Sequence, residues 1–175
     1  MNYFELFGLE TSFDVDLQRL SSTYQTLQKT VHPDKFAHAS QQEQRIAVQK
    51  SAHINDAYQT LKRPLLRAEY ILIQRNVDMP NEQKSFSDTS FLMHQMELRE
   101  SLDEVKFSND SGQALVMLQA ELDSEYQQLS TLMQAQIIEN SATSNDFACD
   151  NLRKLKFYQK LNIEVERLEE SLIED

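Results

Sequence analysis

The stretch Thr30-Val-His-Pro-Asp-Lys-Phe36 separates two segments whose apolar residues recur every three or four positions. That spacing places the apolar side chains on one face of a helix. The faces consist of Leu17, Leu20, Tyr24, Leu27 and Val31 before the stretch, and of Ala47, Ile54, Ala57, Tyr58 and Leu61 after it. The first helix must end before Pro33, because a residue that precedes proline is disfavoured in the helical conformation. The stretch therefore predicts a helical hairpin with His32, Pro33 and Asp34 in a polar loop at its tip.

Helix signals on either side of the hairpin extend this N-terminal unit to about residue 75. A short helix is predicted over residues 3–7, and it ends at Gly8, which accepts the left-handed conformation common at helix ends. Asp14 is the expected N-cap of the second helix, and the pattern Ser40-Gln-Gln-Glu43 is a capping box before the third. A fourth helix is predicted over residues 64–75, with a proline in its first turn, where the missing N–H costs nothing.

The second half of the chain has the pattern of a helical bundle. Residues 76–87 are polar, lack periodicity and are predicted to form a linker. Three periodic segments follow, at about residues 88–106, 110–139 and 145–173, with short breaks between them. Short connections imply antiparallel neighbours, so residues 88–175 are predicted to form a three-helix bundle. The spacing also permits a coiled coil with another chain, but cap-forming residues at each break favour the bundle.

The composition agrees with an all-α fold and narrows the class of partner. The chain holds 2 Gly and 3 Pro in 175 residues, which leaves little material for hairpin turns between strands. The net charge of −11 comes wholly from residues 81–175, with 19 Asp and Glu against 8 Lys and Arg, whereas residues 1–80 hold 9 of each. An acidic surface disfavours nucleic acid and anionic membranes and suits a basic protein partner. Alternatively, the acidity serves only to keep the chain soluble.

The reactive residue types show no catalytic or metal-binding pattern. Cys149 is the single cysteine, so neither an internal disulfide nor a cysteine-clustered metal site is expected. His38, His53 and His94 follow no ligand spacing and are expected to be ordinary surface residues. No segment combines a nucleophile, a base and an orienting group, so the chain is predicted not to be an enzyme and to need no cofactor or metal. The sequence shows neither a secretory signal nor a membrane-spanning apolar run, which predicts a cytoplasmic protein.

The layout of residues 1–75 resembles the J-domain family. The resemblance rests on the short leading helix, the antiparallel helix pair, the tripeptide His32-Pro33-Asp34 between them, and Asp56-Ala57-Tyr58 near the end of the third helix. J-domains bind the nucleotide-binding domain of a heat-shock-type ATPase chaperone and favour its ATP-hydrolysing state. The implied chaperone-binding residues are His32, Pro33, Asp34, Lys35, Lys29 and Arg19. Many J-domains have a more basic second helix, and this departure implies weak electrostatic steering and a dedicated chaperone.

The tripeptide also has a purely structural interpretation. Pro33 would simply stop the helix and His32 would cap it. The surrounding layout favours the functional interpretation, in which Asp34 pairs with an arginine of the partner in a charge-assisted contact.

Beyond the J-domain, the chain resembles the HscB family of iron–sulfur co-chaperones. Five matches follow one another along the chain: YFELFGL at 3–9, HPDKF at 32–36, PLLRAEY at 64–70, FLMHQMELRE at 91–100 and RKLKF at 153–157. General-purpose J-proteins instead carry a Gly/Phe-rich linker and CxxC repeats. The resemblance implies an L-shaped pair of domains, stimulation of the specialised chaperone HscA by the J-domain, and delivery of the scaffold protein IscU by the bundle.

The first bundle helix carries a second set of side chains beside its core stripe. The stripe consists of Phe91, Gln95, Leu98, Leu102 and Val105. The second set, here called the Met/Glu patch, consists of Leu92, Met93, Met96, Glu97, Glu100 and Glu104. Exposed apolar residues beside acids predict a protein-binding surface, and methionines make such a surface adaptable. HscB-like proteins use the matching positions, together with the one that Phe157 occupies, to bind the scaffold.

Two features of this patch remain open. Phe157 is expected just off the core stripe of the third bundle helix, where it would adjoin the patch. The apolar members of the patch have an alternative role, which is to pack against the J-domain or the fourth helix.

Three hypotheses follow for the whole chain. The first is the HscB-like co-chaperone that serves HscA and IscU. The second is a J-protein of a general DnaK-type chaperone with a different client. The third is a structural bundle protein without a chaperone partner, for which Asp34→Ala would have no effect.

Overall fold

The computed structural model describes residues 1–81 and 86–174, and the chain divides into two compact units, Met1–Asn76 and Val77–Asp175. The described residues form seven α-helices and two short 3₁₀ helices and contain no strand, so the all-α prediction is confirmed. None of the described helices has the length and apolar character needed to cross a membrane. Residues 82–85 of the predicted linker lie outside the described residues, and the described part of that segment from Val77 onward groups with the second unit.

The first unit is built around the predicted helical hairpin. Its helices are α1 (Tyr3–Leu6), α2 (Leu17–Val31), α3 (Gln41–Lys62) and α4 (Pro64–Gln74), and a 3₁₀ helix spans Pro33–Phe36. The buried apolar side chains are Phe4, Phe7, Leu20, Ala47, Ile54, Ala57, Leu61, Leu65, Ala68, Ile71 and Leu72. They come from all four helices, so the amphipathic faces meet in one core, as the periodicity predicts. Leu17 is an exception, because it lies exposed in the first turn of α2.

The helix starts show which polar residues act as caps. The expectation that Asp14 caps α2 is wrong, because Asp16 does so: its Oδ1 accepts the N–H groups of Gln18 and Arg19, both at 3.1 Å. Asp14 instead belongs to the preceding turn, where its N–H donates to Ser12 Oγ at 3.1 Å. Of the capping box predicted for α3, the Ser40 half is confirmed, because Glu43 N donates to Ser40 Oγ at 3.2 Å.

Gly8 ends the first helix as the sequence predicts. Its φ of +66° is in the left-handed region, which costs glycine little because it has no Cβ. At the other end of α1, Asn2 and Glu5 form a capping box: Asn2 Oδ1 accepts from Glu5 N at 2.8 Å, and Asn2 N donates to Glu5 Oε2 at 2.9 Å. These two caps fix a helix of only four residues.

The second unit is a bundle of long helices. It contains α5 (Thr89–Glu104), α6 (Ser111–Glu139) and α7 (Ala142–Glu174), with a 3₁₀ helix over Val105–Phe107. Its main core cluster consists of Phe91, Leu98, Leu102, Val105, Leu115, Leu118, Leu122, Phe157, Tyr158, Leu161, Val165 and Leu168. The cluster draws on all three helices, which confirms the predicted three-helix bundle.

The connection between α6 and α7 is shorter than the sequence pattern predicts. Asn140 adopts a left-handed conformation (φ 52°) as the C-cap of α6, and α7 begins at Ala142 rather than near Asn145. Ser141 and Ser144 close the new helix start, because each backbone N–H donates to the other's hydroxyl, at 2.8 and 3.0 Å. The two serines, three residues apart, thus satisfy each other's backbone N–H groups as the two residues of a capping box do.

Candidate protein-binding sites

At the hairpin tip, where the sequence predicts a polar loop, Pro33–Phe36 form one turn of 3₁₀ helix. Pro33 occupies its first position, where the missing N–H is not needed. His32 is the N-cap: its ring Nδ1 accepts the N–H of Asp34 at 3.2 Å, and its carbonyl oxygen accepts the N–H of Lys35 at 3.0 Å. The structural role of His32 as a cap is therefore real, and it makes the tip a defined turn.

The cap leaves the carboxylate of Asp34 and one edge of the His32 ring exposed to a partner. The side chain of Asp34 is 92% exposed and that of His32 is 53% exposed. An Nδ1 that accepts a hydrogen bond implies that the proton of the neutral ring is on Nε2, so this edge can donate to a partner. Asp34 Oδ2 lies 3.5 Å from the same Nδ1, so the carboxylate is close to the ring. The tip thus offers a carboxylate and a ring N–H side by side.

A shallow groove between α2 and α3 continues from the tip. Lys29 and His32 border it on one side and Val48 on the other, and Val48 is an exposed apolar residue that no sequence pattern marks as a binding residue. The groove floor is held by polar contacts between the helices: Gln28 Nε2 donates to Ser51 O at 3.0 Å, and Ser51 Oγ donates to Gln28 Oε1 at 2.8 Å. Because these contacts join α2 to α3, they fix the groove's shape.

The predicted basic residues do not all lie at the tip. Lys29 is in the last turn of α2 and Lys35 is in the 3₁₀ turn, so both adjoin the tripeptide. Arg19 lies in the first turn of α2, ten residues before Lys29, which corresponds to about 15 Å along the helix axis. Its Nη2 donates to Gly8 O at 3.4 Å. The structure therefore separates Arg19 from the other predicted chaperone-binding residues.

The Met/Glu patch occupies one face of α5. At 3.6 residues per turn, Met93, Met96, Glu97, Glu100 and Glu104 fall on the side of the helix opposite the core stripe. These five residues are exposed, with Met96 at 65%, and Leu92 is half-buried. The core stripe itself is buried at Phe91, Leu98 and Leu102, as predicted. The helix therefore separates a buried apolar face from an exposed face of methionines and acids.

The expected position of Phe157 is wrong. It belongs to the core cluster and is only 8% exposed. Its ring packs edge-to-face on Phe91, with ring centroids 5.8 Å apart, and the Arg99 guanidinium lies 5.7 Å from the ring centroid. The sequence shows only that Phe157 precedes Tyr158, one of the apolar residues that recur every three or four positions in the third bundle helix, so its burial follows from tertiary packing. Phe157 supports the patch from beneath.

Ion pairs border the patch on the side that faces α7. Arg99 Nη1 donates to both carboxylate oxygens of Glu164, at 3.3 and 3.2 Å, and Lys154 Nζ donates to Asp88 Oδ2 at 2.9 Å. Asp88 also caps α5 by accepting the Phe91 N–H at 3.1 Å. The hydrogen bond from Lys154 and that from the Phe91 N–H lower the pKa of the Asp88 carboxyl. They fix the start of α5 and therefore the orientation of the patch.

His94 is not the ordinary surface residue that the sequence analysis expects. Its Nε2 lies 2.7 Å from Glu125 Oε1 on α6, and its Nδ1 lies 3.4 Å from Glu97 Oε2. Tyr158 OH on α7 donates to the other oxygen of Glu125 at 3.0 Å. The hydrogen bond to Glu125 raises the pKa of His94, and burial opposes this rise. The spacing of His94 and Glu97 is visible in the sequence, but the partner on α6 is set by tertiary packing.

Cys149 has a structural environment. It is buried, and its Sγ lies 3.6 Å from Met79 Sδ and 3.8 Å from the carbonyl oxygen of Asp78. Burial raises the pKa of the thiol, so little thiolate forms at neutral pH. The residue joins α7 to the segment that precedes α5 within the second unit.

Comparisons with known proteins agree over the whole chain. Residues 87–166 match the family described as the HSCB C-terminal oligomerisation domain. The chain is 74% identical over 175 residues to the co-chaperone protein HscB homolog of Colwellia psychrerythraea, and the match covers 100% of both chains. It is 48% identical over 174 residues to the HscB homolog of Vibrio atlanticus, covering 99% of each.

Solved structures give the same result. The chaperone HscB from Vibrio cholerae superposes with a TM-score of 0.89 at 45% identity, covering 98% of this chain and 99% of that one. The human co-chaperone protein HscB superposes with a TM-score of 0.88 at 27% identity, covering 97% of this chain and 82% of that one. The similarity therefore includes both units and the order of their helices.

Proposed function

The chain belongs to the HscB family of co-chaperones, and from this premise we propose that it stimulates ATP hydrolysis by the chaperone HscA and delivers the scaffold protein IscU. The first unit acts on the chaperone and the second unit binds the client. The chain itself contributes no catalytic group, and it works in the cytoplasm in the maturation of iron–sulfur proteins.

The observation that carries the chaperone half of the proposal is the exposed and fixed hairpin tip. Asp34 projects its carboxylate from a turn that His32 caps and Pro33 starts. A carboxylate in this position can form a charge-assisted contact with an arginine of the ATPase domain. Because the His32 cap already fixes the backbone of the turn, little backbone entropy is lost when the contact forms.

The mechanism is a shift of the partner between two states. HscA stimulated in this way hydrolyses ATP with its own catalytic groups. The co-chaperone accelerates the reaction only to the extent that it binds the hydrolysing state more tightly than the resting state. Asp34 and the exposed edge of His32 supply that difference, and the groove beside Lys29 and Val48 adds contact area.

The Met/Glu patch supports the client half. Met93 and Met96 provide adaptable apolar contacts, and Glu97, Glu100 and Glu104 surround them with negative charge on one face of α5. Such a surface fits a client that presents an apolar spot ringed by basic residues. We propose that IscU presents such a surface, and that Phe157 contributes by supporting α5 and not by direct contact.

An ATPase assay tests the chaperone half. Adding the full chain to HscA is expected to raise the steady-state hydrolysis rate several-fold, and Asp34→Ala is expected to abolish the increase, because a charge-assisted contact is lost. The matched control is Asp56→Ala, which removes an exposed carboxylate from α3 about 20 Å from the tip along the helix. Full stimulation by Asp34→Ala, or equal loss in both variants, would contradict the proposal.

The same assay addresses the general-chaperone alternative. The few basic residues near the tip, Lys29 and Lys35, predict weak steering toward a general partner. We therefore expect a smaller stimulation of a DnaK-type chaperone than of HscA at equal concentrations. A larger stimulation of the DnaK-type chaperone would favour the alternative.

A further inference from the structure

A cluster of potential metal ligands lies beside the Met/Glu patch, where α5 meets α6. His94, Glu121 and Glu125 each offer one ligand atom, and these three atoms lie within 4.8 Å of one another. His94 and Glu125 are partly enclosed, with side chains 32% and 27% exposed. Glu121 and Glu125 are four residues apart, so helix geometry places them on the same face of α6. The convergence therefore rests on helix positions and not on loop conformation.

We propose that His94, Glu121 and Glu125 bind a divalent first-row transition-metal ion, with Zn²⁺ as the reference case. One imidazole and two carboxylates are a donor set that such ions accept. The two carboxylates match the 2+ charge of the ion, and the surrounding unit is strongly acidic. Three protein ligands leave a further coordination position for water or for a ligand from outside the chain.

The side chains behind the three ligands strengthen the assignment. A metal-bound histidine commonly donates its other ring N–H to a carboxylate, which fixes the tautomer and the ring orientation. Here Glu97 Oε2 lies 3.4 Å from Nδ1 while Nε2 faces the cluster. Tyr158 OH holds one oxygen of Glu125 at 3.0 Å and leaves the other directed at His94. Each of these two ligands thus has an orienting partner outside the cluster.

The distances require only small movements. Ligands at about 2.0–2.2 Å from a tetrahedral ion lie roughly 3.3–3.6 Å from one another. His94 Nε2 and Glu125 Oε1, now 2.7 Å apart, would separate slightly once the proton between them is lost. Glu121 is exposed, so its side chain can turn inward without disturbing the core.

Titration with metal ions tests the site on the full chain alone. Metal-free protein is titrated with ZnCl₂ in a calorimeter, and with CoCl₂ as a spectroscopic probe of coordination. We expect one equivalent to bind, and we expect His94→Ala and Glu121→Gln each to weaken binding at least about tenfold. His38→Ala is the matched control, since it removes an exposed histidine from the other unit, and it is expected to leave the affinity unchanged.

Two results would overturn the site: no binding by the unmodified chain, or an affinity that both His94→Ala and Glu121→Gln leave unchanged. Glu121→Gln removes the charge of an exposed ligand while keeping its shape, so it should not disturb folding. Circular dichroism verifies that each variant keeps its helical content. Glu97→Gln, which changes only the orienting partner of His94, is expected to weaken binding less than His94→Ala. Neither HscA nor IscU is present, so the outcome is independent of the proposed function.

Discussion

In the first unit the candidate binding residues project from a turn, whereas in the second they form one face of a continuous helix. Asp34 stands clear of the core, so a change there removes a contact and leaves the packing of α2 and α3 intact. Exposed Glu97 directly precedes Leu98, which is buried in the bundle. In the first unit, a single substitution at the tip can therefore weaken binding without lowering the free energy of unfolding. In the second unit this holds only for substitutions on the exposed face of α5.

The largest effect on stability is expected at Phe157, the residue of the second unit that the sequence predicts wrongly. Phe157→Ala should lower the free energy of unfolding by about 3–5 kcal/mol, because it leaves a cavity beneath α5. Phe107→Ala, which removes an 87% exposed ring from the same unit, should change it by less than about 0.5 kcal/mol. Denaturant titrations followed by circular dichroism measure both. If Phe157→Ala kept full stability and lost IscU binding, the residue would be a surface contact after all.

The next effect concerns the exposed face of α5. The double variant Met96→Ala with Glu100→Ala should weaken IscU binding by about 1–3 kcal/mol, as the loss of interface anchors does, and should leave the unfolding free energy nearly unchanged. Calorimetric titration of IscU measures the affinity. Ile138→Ala is the control: it removes an exposed apolar side chain from α6, thirteen residues beyond Glu125 and so about 20 Å along the axis. If Ile138→Ala weakened IscU binding equally, the Met/Glu patch would not be the binding surface.

A smaller change in stability is expected when the single glycine of each unit is replaced by alanine. Gly8→Ala should destabilise the first unit by about 1–2 kcal/mol, because its φ of +66° is costly for a residue with a Cβ. Gly112→Ala should instead stabilise the second unit by about 0.5 kcal/mol, since it lies in α6, where alanine is favoured. An added Cβ there meets Asp110 Oδ1 at 3.6 Å, an ordinary contact. In thermal melts, Gly8→Ala should lower the melting temperature and Gly112→Ala should raise it. Changes of the same sign would contradict the assigned backbone conformations.

The smallest effect is the pH dependence of the cap of α5. Lys154 and the Phe91 N–H lower the pKa of Asp88 below its ordinary 3.8 in the folded chain. A lowered folded pKa stabilises the fold above the unfolded pKa, and this contribution disappears as the pH falls through the folded value. The melting temperature of Asp88→Asn should therefore be slightly below that of the unmodified chain at pH 7, and the gap should close in acid. A gap that widens in acid would refute the pairing.

Much of the fold follows from local sequence signals. The periodic stripes, Gly8 and Pro64 define helices α1 and α4 to within a residue, and the Ser40 cap defines the start of α3. The errors occur where two equivalent signals compete. Asp14 and Asp16 both suit an N-cap, and the turn at Ser12 decides between them. Asn145 suited a helix start, but Ser141 with Ser144 began the helix three residues earlier.

The candidate sites differ in how far the sequence reveals them. The tripeptide of the first unit is contiguous, so it can be recognised without a structure. The exposed face of the Met/Glu patch also follows from helical periodicity. Phe157, His94 and the Glu121–Glu125 pair could not be placed, because their surroundings depend on which helix packs beside them.

We propose that one chain both stimulates the chaperone and binds the client, and a mixing experiment tests whether the two functions must share a chain. HscA hydrolysis is measured with IscU and either the unmodified chain or an equimolar mixture of Asp34→Ala and the Met96→Ala/Glu100→Ala double variant. Each variant in the mixture keeps one function. We predict that the unmodified chain gives an IscU-dependent increase in rate and that the mixture does not. Full recovery of the increase by the mixture would show that the two functions need not share a chain.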